Sequence, residues 1–289
     1  MIFKIVSFAI LMFFNSQVYS QVVESSDGTA KKAHKSTKKA AQAPIQKKTY
    51  TSNELQPPSK VTIDFFKAYN SGNLEIAELF LKQGADINCP NCNDAGITPL
   101  INTAQNPILS KAVNPNLPWL VSHGANLNAQ NKQGETALMK SIEGISNDYY
   151  SGMHDTLFLM NNGSKTDIKD KSGKNTLHHL AKNGVVPIGA GGYYLDDTKA
   201  MNARYETTAK NILTSGTNIN EQDLVGNSVL MYAASTCNPS SVNFYISNGA
   251  DKNLKNSKGE TAAQIVLEKA VTENSKFCNE VVSILNSGL

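Results

Sequence analysis

The stretches "KQGADIN" (82–88) and "SNGADKN" (247–253) carry nearly the same seven residues 165 positions apart. Related tails begin with a glycine at five places along the chain, namely Gly84, Gly124, Gly163, Gly216 and Gly249. A second glycine and a Thr-like residue follow each tail. The Thr-like residue stands 14 positions after the first tail glycine and 12 positions after each of the other four. This nearly constant spacing predicts a structural repeat.

The segments that follow the Thr-like residues share a second pattern. They include "TPLINTA" (98–104), "NTLHHLA" (175–181) and "SVLMYAA" (228–234), and the period from Gly216 to Gly249 is 33 residues. These residues resemble the ankyrin repeat, whose unit is a β-turn finger followed by two antiparallel helices and whose signature is T-P-L-H-x-A. The resemblance covers about residues 60–289. It implies an all-α ankyrin-repeat solenoid of about six helix-turn-helix units with β-turn fingers.

The repeat also identifies candidate core residues. One such unit buries too little apolar surface to fold alone, so neighbouring units must share a continuous apolar layer. Leucines that recur where an inner helix meets the next unit are expected in that layer: Leu100, Leu138, Leu177 and Leu230. His178 falls on the family's histidine position and is expected to be a hydrogen-bonded structural residue. His178 and His179 are adjacent on a helix and cannot face one metal ion as an i, i+4 pair would, so we predict no metal site.

Residues 1–20, "MIFKIVSFAILMFFNSQVYS", have the pattern of a secretory signal peptide. Lys4 precedes an apolar run of 10 residues from Ile5 to Phe14, and Val18 and Ser20 are small residues before a cut at Gln21. The alternative is a membrane anchor, but a helix needs about 20 apolar residues to cross the hydrocarbon core. The pattern therefore predicts an exported protein, periplasmic or secreted.

Residues 21–59 are lysine-rich and lack apolar periodicity, so they are predicted to form a disordered linker. The chain carries a net charge of +3, whereas residues 60–289 hold 19 basic and 21 acidic residues, a net charge of −2. The linker thus carries the positive charge. Weak contact with anionic envelope polymers is one hypothesis for it, and a solvated spacer is the alternative. Nucleic-acid binding is disfavoured because the repeats show no basic stripe and Arg204 is the chain's single arginine.

Several units carry inserted residues. From the Thr-like residue to the next closing glycine, the shortest unit takes 21 residues (Ser228 to Gly249), and the others take 26, 27, 41 and 27. The surplus must lie between the two helices of a unit or lengthen them, because the finger spacing is nearly fixed. Inserts in repeat proteins map to one edge, which often binds a partner.

The largest insert, residues 185–207, is rich in side chains that are typical of binding hot spots. We predict a partner-binding set in this insert and the preceding one: Tyr149, Tyr150, Tyr193, Tyr194, Asp196, Asp197, Arg204 and Tyr205. The alternative is that the tyrosines pack lengthened helices.

The four cysteines suit an oxidising compartment. Cys89 and Cys92 stand in a finger, where we favour a local disulfide clip over a redox site, because a redox site would need a helix N-terminus. Cys237 and Cys278 fall in adjacent units and are predicted to form a second disulfide.

No motif for catalysis appears in the sequence: there is no nucleophile elbow, no paired-carboxylate motif and no metal-ligand cluster. We therefore predict a non-enzyme without cofactors. The leading hypothesis is an exported module that binds one protein partner, as an inhibitor or immunity factor by analogy. The alternative is a cell-envelope structural factor that is tethered by its basic N-terminal segment.

Deletion of residues 21–59 tests the boundary of the folded part. Because this segment has little apolar surface to bury, we expect the deletion to shift the melting temperature by less than about 2 °C. Thermal unfolding followed by circular dichroism measures the shift, and a substantially larger drop would make the segment part of the core.

Overall fold

The computed structural model describes residues 57–89, 95–106, 113–145, 149–183, 195–273 and 275–287. The predicted signal peptide and all but the last three residues of the predicted linker lie outside this part, so both stay predictions. The described residues contain twelve α-helices: α1 Lys60–Asn70, α2 Leu74–Lys82, α3 Pro99–Gln105, α4 Asn116–Ser122, α5 Ala137–Gly144, α6 Tyr149–Asn161, α7 Thr176–Asn183, α8 Leu195–Thr214, α9 Val229–Ser235, α10 Pro239–Ser247, α11 Ala262–Glu273 and α12 Lys276–Asn286.

The helices form six consecutive pairs, from α1 with α2 to α11 with α12. The first helices α3, α5, α7, α9 and α11 pack side by side in one layer, and the second helices α6, α8, α10 and α12 pack in another. We call the first helices inner helices, and the loop that leads into each of them a finger. Within the described ranges the only bridge between extended residues joins Gln222 and Ser228. The predicted all-α solenoid is confirmed.

The Thr-like residues of the repeat cap the inner helices. The Thr98 side-chain oxygen accepts a hydrogen bond from the backbone N–H of Ile101 at 3.3 Å. Four further residues make the same type of bond: Thr136, Asn175, Ser228 and Thr261. Because the first backbone N–H groups of a helix have no partner within it, an oxygen at this position stabilises the helix start.

The tail glycines end the second helices. At Gly249, φ is +92°, its N–H donates to the carbonyl of Ile246 at 3.0 Å, and the N–H of Ala250 donates to the carbonyl of Tyr245 at 3.0 Å. This pair of bonds closes a helix through a residue of left-handed conformation, which glycine adopts without the steric cost of a Cβ. The tail glycine and the Thr-like cap therefore mark the two ends of each finger.

Successive fingers are joined by a ladder of backbone hydrogen bonds. Each bond runs from an N–H in one finger to a carbonyl in the finger before it: Lys132 to Ala95 (3.0 Å), Lys171 to Gln133 (2.8 Å), Leu224 to Ser172 (2.9 Å) and Ser257 to Val225 (3.0 Å). The fingers approach so closely that a Cβ on Gly226 would lie 2.8 Å from the nitrogen of Ser257. The ladder thus requires glycine at the finger turn.

The inner layer is apolar. The four leucines predicted for it, Leu100, Leu138, Leu177 and Leu230, are all buried. The side chains six positions after the helix caps are also buried where a further unit follows, namely Ala104, Ile142, Ala181 and Ala234. The equivalent residue of the last inner helix, Leu267, is 49% exposed. Each unit therefore completes the core of the one before it.

In two units the inserted residues lengthen the second helix. α8 has 20 residues and α6 has 13, whereas α10, in the shortest unit, has 9. Residues 185–194 of the largest insert lie outside the described residues. None of the helices that the structure describes is both long enough and apolar enough to cross a membrane.

The predicted disulfide between Cys237 and Cys278 is confirmed. It joins the turn between α9 and α10 to α12, with the two Cα atoms 4.5 Å apart. Cys89 is buried and disulfide-bonded, but Cys92 lies outside the described residues, so their pairing stays a prediction.

Replacing Cys237 and Cys278 by alanine should destabilise the fold. The bond links residues 41 positions apart, and closing a loop of that length contributes about 4 kcal/mol through the entropy of the unfolded chain. Urea unfolding of the variant and of the parent chain measures the difference in the free energy of unfolding. Equal values would mean that the bond contributes nothing to stability.

Candidate functional site

A polar cleft lies between the fingers that lead into α5 and α7. We call it the charged cleft; its volume is about 390 Å³. Two fingers and two inner helices line it with Lys132, Gln133, Glu135, Glu143, Asp170, Lys171, Ser172, Lys174, His179, Lys182 and Asn183. His179 and Lys182 both line the cleft from α7, because residues three or four apart share a helix face. Glu143 lines it from α5.

His179 lies at the base of the charged cleft between two carboxylates. Its Nε2 is 3.1 Å from Asp170 Oδ2 and its Nδ1 is 3.4 Å from Glu143 Oε1. Burial acts to lower the pKa of His179, but the hydrogen bonds to Asp170 and Glu143 outweigh it and raise the pKa. Glu143 comes from α5 and His179 from α7, so this contact joins two units.

The two carboxylates keep their charge. Burial acts to raise the pKa of Glu143, but hydrogen bonds from His179 and Lys140 outweigh it and lower the pKa to about 2. Burial likewise opposes ionisation of Asp170, but His179 and the backbone N–H of Lys174 hold its pKa below the ordinary value. Both side chains are therefore anionic at neutral pH and are engaged within the protein.

Lys140 completes this network. It is buried, forms an ion pair with Glu143, and lies 3.6 Å from Glu135. Glu135 also accepts a hydrogen bond of 2.7 Å from the side-chain amide of Asn131. All three carboxylates of the charged cleft thus have partners inside the protein.

The lysines at the rim differ from Lys140. Lys132, Lys171 and Lys182 are exposed, and none has an ion pair among the described residues. Lys174 lies over the ring of Tyr232, with 5.5 Å from its nitrogen to the ring centroid. The open side of the charged cleft is therefore cationic.

The finger that leads into α9 presents a different surface. Its tip residues Leu224 and Val225 are 76% and 53% exposed. The tips of the neighbouring fingers carry polar residues instead, namely Lys132 with Gln133, Lys171 with Ser172, and Ser257 with Lys258. We call Leu224 and Val225 the apolar fingertip.

Two residues of the predicted partner-binding set have described side chains. Arg204 is half-buried, and its Nη1 lies 3.3 Å from Nε2 of His154, which joins α8 to α6. Tyr205 is only 3% exposed, and its hydroxyl lies 2.8 Å from that of Tyr245. Its assignment to a binding surface was wrong, because it lies on the side of α8 that packs against α10.

The other predicted residues are not tested. Tyr149 and Tyr150 begin α6, and Asp196 and Asp197 belong to the first turn of α8, but their side chains lie outside the described part of the chain. Tyr193 and Tyr194 lie outside it entirely. Their role in partner binding stays a prediction.

His178 is a structural residue, as expected. It is fully buried, its Nε2 lies 3.2 Å from the carbonyl oxygen of Glu221, and its Nδ1 accepts from the backbone N–H of Asn175 at 3.3 Å. Burial lowers its pKa to about 4. Among the residues that the structure describes, no group of three or more His, Cys, Asp or Glu is arranged to hold a metal ion.

Family models identify the repeat. The model for ankyrin repeats in three copies matches residues 65–151, and the model for a single ankyrin repeat matches residues 225–257. The chain contains ankyrin repeats. Between the two matched ankyrin segments lie residues 152–224, which include the long helix α8.

A solved structure shares this ankyrin fold. A chain from the complex of the predatory endopeptidase Bd0816 from Bdellovibrio bacteriovorus with the immunity protein Bd3460 matches with a TM-score of 0.54. The sequence identity is 24%, and the match covers 78% of this chain and 98% of that chain. At this identity the similarity supports the fold alone.

Sequence reasoning did not find the charged cleft, and it also missed one recurring residue of the ankyrin fingers. The residue three positions before the finger glycine is Asn131, Asp170, Asp223 or Asn256. Each accepts two backbone hydrogen bonds in its finger; Asp223 Oδ1, for example, accepts from Val225 at 3.0 Å and Asn227 at 2.8 Å. Aligning the fingers by their glycines shows this Asn or Asp directly.

His179 should make stability depend on pH. Its pKa is raised above the ordinary 6.5 in the folded state, so its stabilising effect is complete below that value and is lost as pH rises through the folded pKa. Relative to His179→Gln, which cannot titrate there, the parent chain should lose stability as pH rises above the ordinary value of 6.5. Urea unfolding of both proteins across this range measures the difference, and parallel profiles would contradict the assignment.

Proposed function

We propose that this protein is an exported, non-enzymatic binding module that holds one protein partner and acts as an inhibitor or immunity factor. The observation that carries the proposal is the charged cleft beside the apolar fingertip. A cationic rim and exposed apolar side chains on neighbouring fingers together offer both polar and apolar contacts to a partner.

The ladder between the fingers favours binding. Because each finger is hydrogen-bonded to the next through its backbone, the tip residues are held in place before a partner arrives. A surface that is already ordered loses less conformational entropy when it binds. The fingers are therefore well suited to carry contact residues.

The chemistry of the charged cleft supports binding over catalysis. A general base needs a ring nitrogen free to accept a proton, but both nitrogens of His179 face carboxylates. Glu143 and Asp170 are engaged by His179 and have lowered pKa values, which is unfavourable for a general acid. The cleft can attract and orient charged groups of a partner.

The inhibitor or immunity role is proposed by analogy with a complex that shares the fold. The solved complex that shares this fold pairs an endopeptidase with an immunity protein. Export is supported by the signal-like pattern of residues 1–20. An exported enzyme of the producing cell is thus the partner class that we propose.

A structural role in the cell envelope is the second candidate. It is favoured by the seven lysines between residues 22 and 59, which would attract an anionic polymer. In that case the linker, not the repeats, would make the essential contact.

Site-specific photocrosslinking in the producing cell tests the proposal. A photoreactive amino acid at Gln133 or Leu224 should give one adduct of defined mass, whereas exposed control positions on second helices, Asn243 and Lys276, should give none. The adduct should persist when residues 21–59 are deleted. A further position, Lys199 on α8, reports whether the partner binds at the largest insert.

If adducts form only at Lys199, the partner binds at the insert, which would contradict the charged cleft as its site. Loss of every adduct with the linker deletion would favour the structural role. If the captured protein is an enzyme, adding the purified repeat protein should reduce its activity in proportion to the bound fraction. Full activity in the saturated complex would refute the inhibitor role.

A further inference from the structure

The charge of the cleft is opposite to that of the repeats around it. Residues 60–289 carry a net charge of −2, yet three exposed lysines at the rim of the cleft, Lys132, Lys171 and Lys182, have no ion pair within the described ranges. The acidic side chains in the cleft are already engaged by Lys140, His179 and backbone N–H groups. The cleft therefore offers free positive charge and no free negative charge.

The apolar fingertip adjoins this cationic rim directly. The N–H of Leu224 donates to the carbonyl of Ser172 at 2.9 Å, and Ser172 lines the charged cleft. A Cβ on Gly173 would lie 3.0 Å from Leu224 Cγ. A ligand that contacts Lys171 is therefore within reach of the apolar fingertip.

The exposure of the apolar fingertip has no structural reason within its own finger. Its turn is fixed by Asp223, by the finger glycine and by the ladder bond, and none of these needs an apolar side chain. The equivalent positions in the preceding finger are Lys171 and Ser172. Two adjacent exposed aliphatic residues between polar fingertips thus point to contact with an apolar group of a ligand.

We propose that the charged cleft and the apolar fingertip together recognise a partner segment in which an acidic side chain lies close to an apolar one. The acidic group pairs with the lysines at the rim, and the apolar side chain packs on Leu224 and Val225. This inference rests on the proposed function and specifies the chemistry of its partner. Because the fingers that carry Lys171 and Leu224 are joined by a backbone hydrogen bond, and an extended chain advances about 3.3 Å per residue, we expect the two recognised residues within about three positions of each other.

The two halves of the site make different contributions. Exposed lysines are strongly hydrated, so their pairing with a carboxylate mainly speeds association and fixes orientation, and it weakens as salt is added. The apolar contact removes surface from water and slows dissociation. A ligand with only one of the two groups should bind more weakly than one with both.

Selection from a displayed library of random short peptides, with the full chain as bait, tests the inference without a known partner. We expect the selected peptides to share an aspartate or glutamate within about three positions of a leucine, isoleucine, valine or phenylalanine. The best peptide, made synthetically, is then measured by fluorescence anisotropy against the variants.

The variants separate the two halves of the site. The triple change Lys132→Glu, Lys171→Glu and Lys182→Glu should weaken binding about tenfold or more, and Leu224→Ser with Val225→Ser about fivefold or more. The matched control has the same change in net charge on exposed lysines elsewhere, Lys60→Glu, Lys210→Glu and Lys276→Glu, and should change the affinity less than about twofold. Melting temperatures confirm that each variant is folded.

Selection of no peptide, or of peptides without an acidic residue, would overturn the inference. The inference would also be overturned if the rim variant and the control variant changed the affinity equally. An equal change would reflect only the long-range effect of net charge. Unchanged binding by the fingertip variant, or by a peptide whose apolar residue is replaced with serine, would overturn the apolar half. These failures leave the crosslinking result intact, whereas loss of crosslinking with intact peptide binding would refute the proposed function alone.

Discussion

The backbone hydrogen bond from each finger to the one before it is the constraint on which the rest of the structure depends. It sets the separation of successive units and thereby the register in which the inner helices pack. It also explains two requirements on the sequence: a glycine where the fingers touch, and an Asn or Asp that holds the turn from within. Side chains of different units become neighbours because the fingers that carry them are joined.

The charged cleft follows from that arrangement. Buried charge is costly unless it is paired, and here Lys140, Glu143, His179 and Asp170 satisfy one another across the boundary between two units. Such a network tolerates few substitutions, because removal of one member leaves another without its partner. The lysines at the rim have no such role and are free to be used for recognition.

Much of the fold could be predicted from the sequence because its determinants are local. Tail glycines, Thr-like caps and recurring leucines stand at fixed spacings, and each acts within a few residues of its own position. The charged cleft could not be predicted this way, since Lys132 and His179 are far apart in sequence and each resembles an ordinary surface or helix residue. The role predicted for Tyr205 was wrong because the length of an insert does not determine which side chains of the extended helix face the core.

The disulfide between Cys237 and Cys278 also changes how the fold bears mechanical load. Force applied from the C-terminal side reaches α12 first, and the bond passes it on to the turn after α9. The chain between the cysteines, which stand 41 positions apart, then cannot extend, which withholds about 140 Å of contour length at roughly 3.4 Å per residue. While the bond is intact, α11, the last inner helix of the stack, is shielded from stretching.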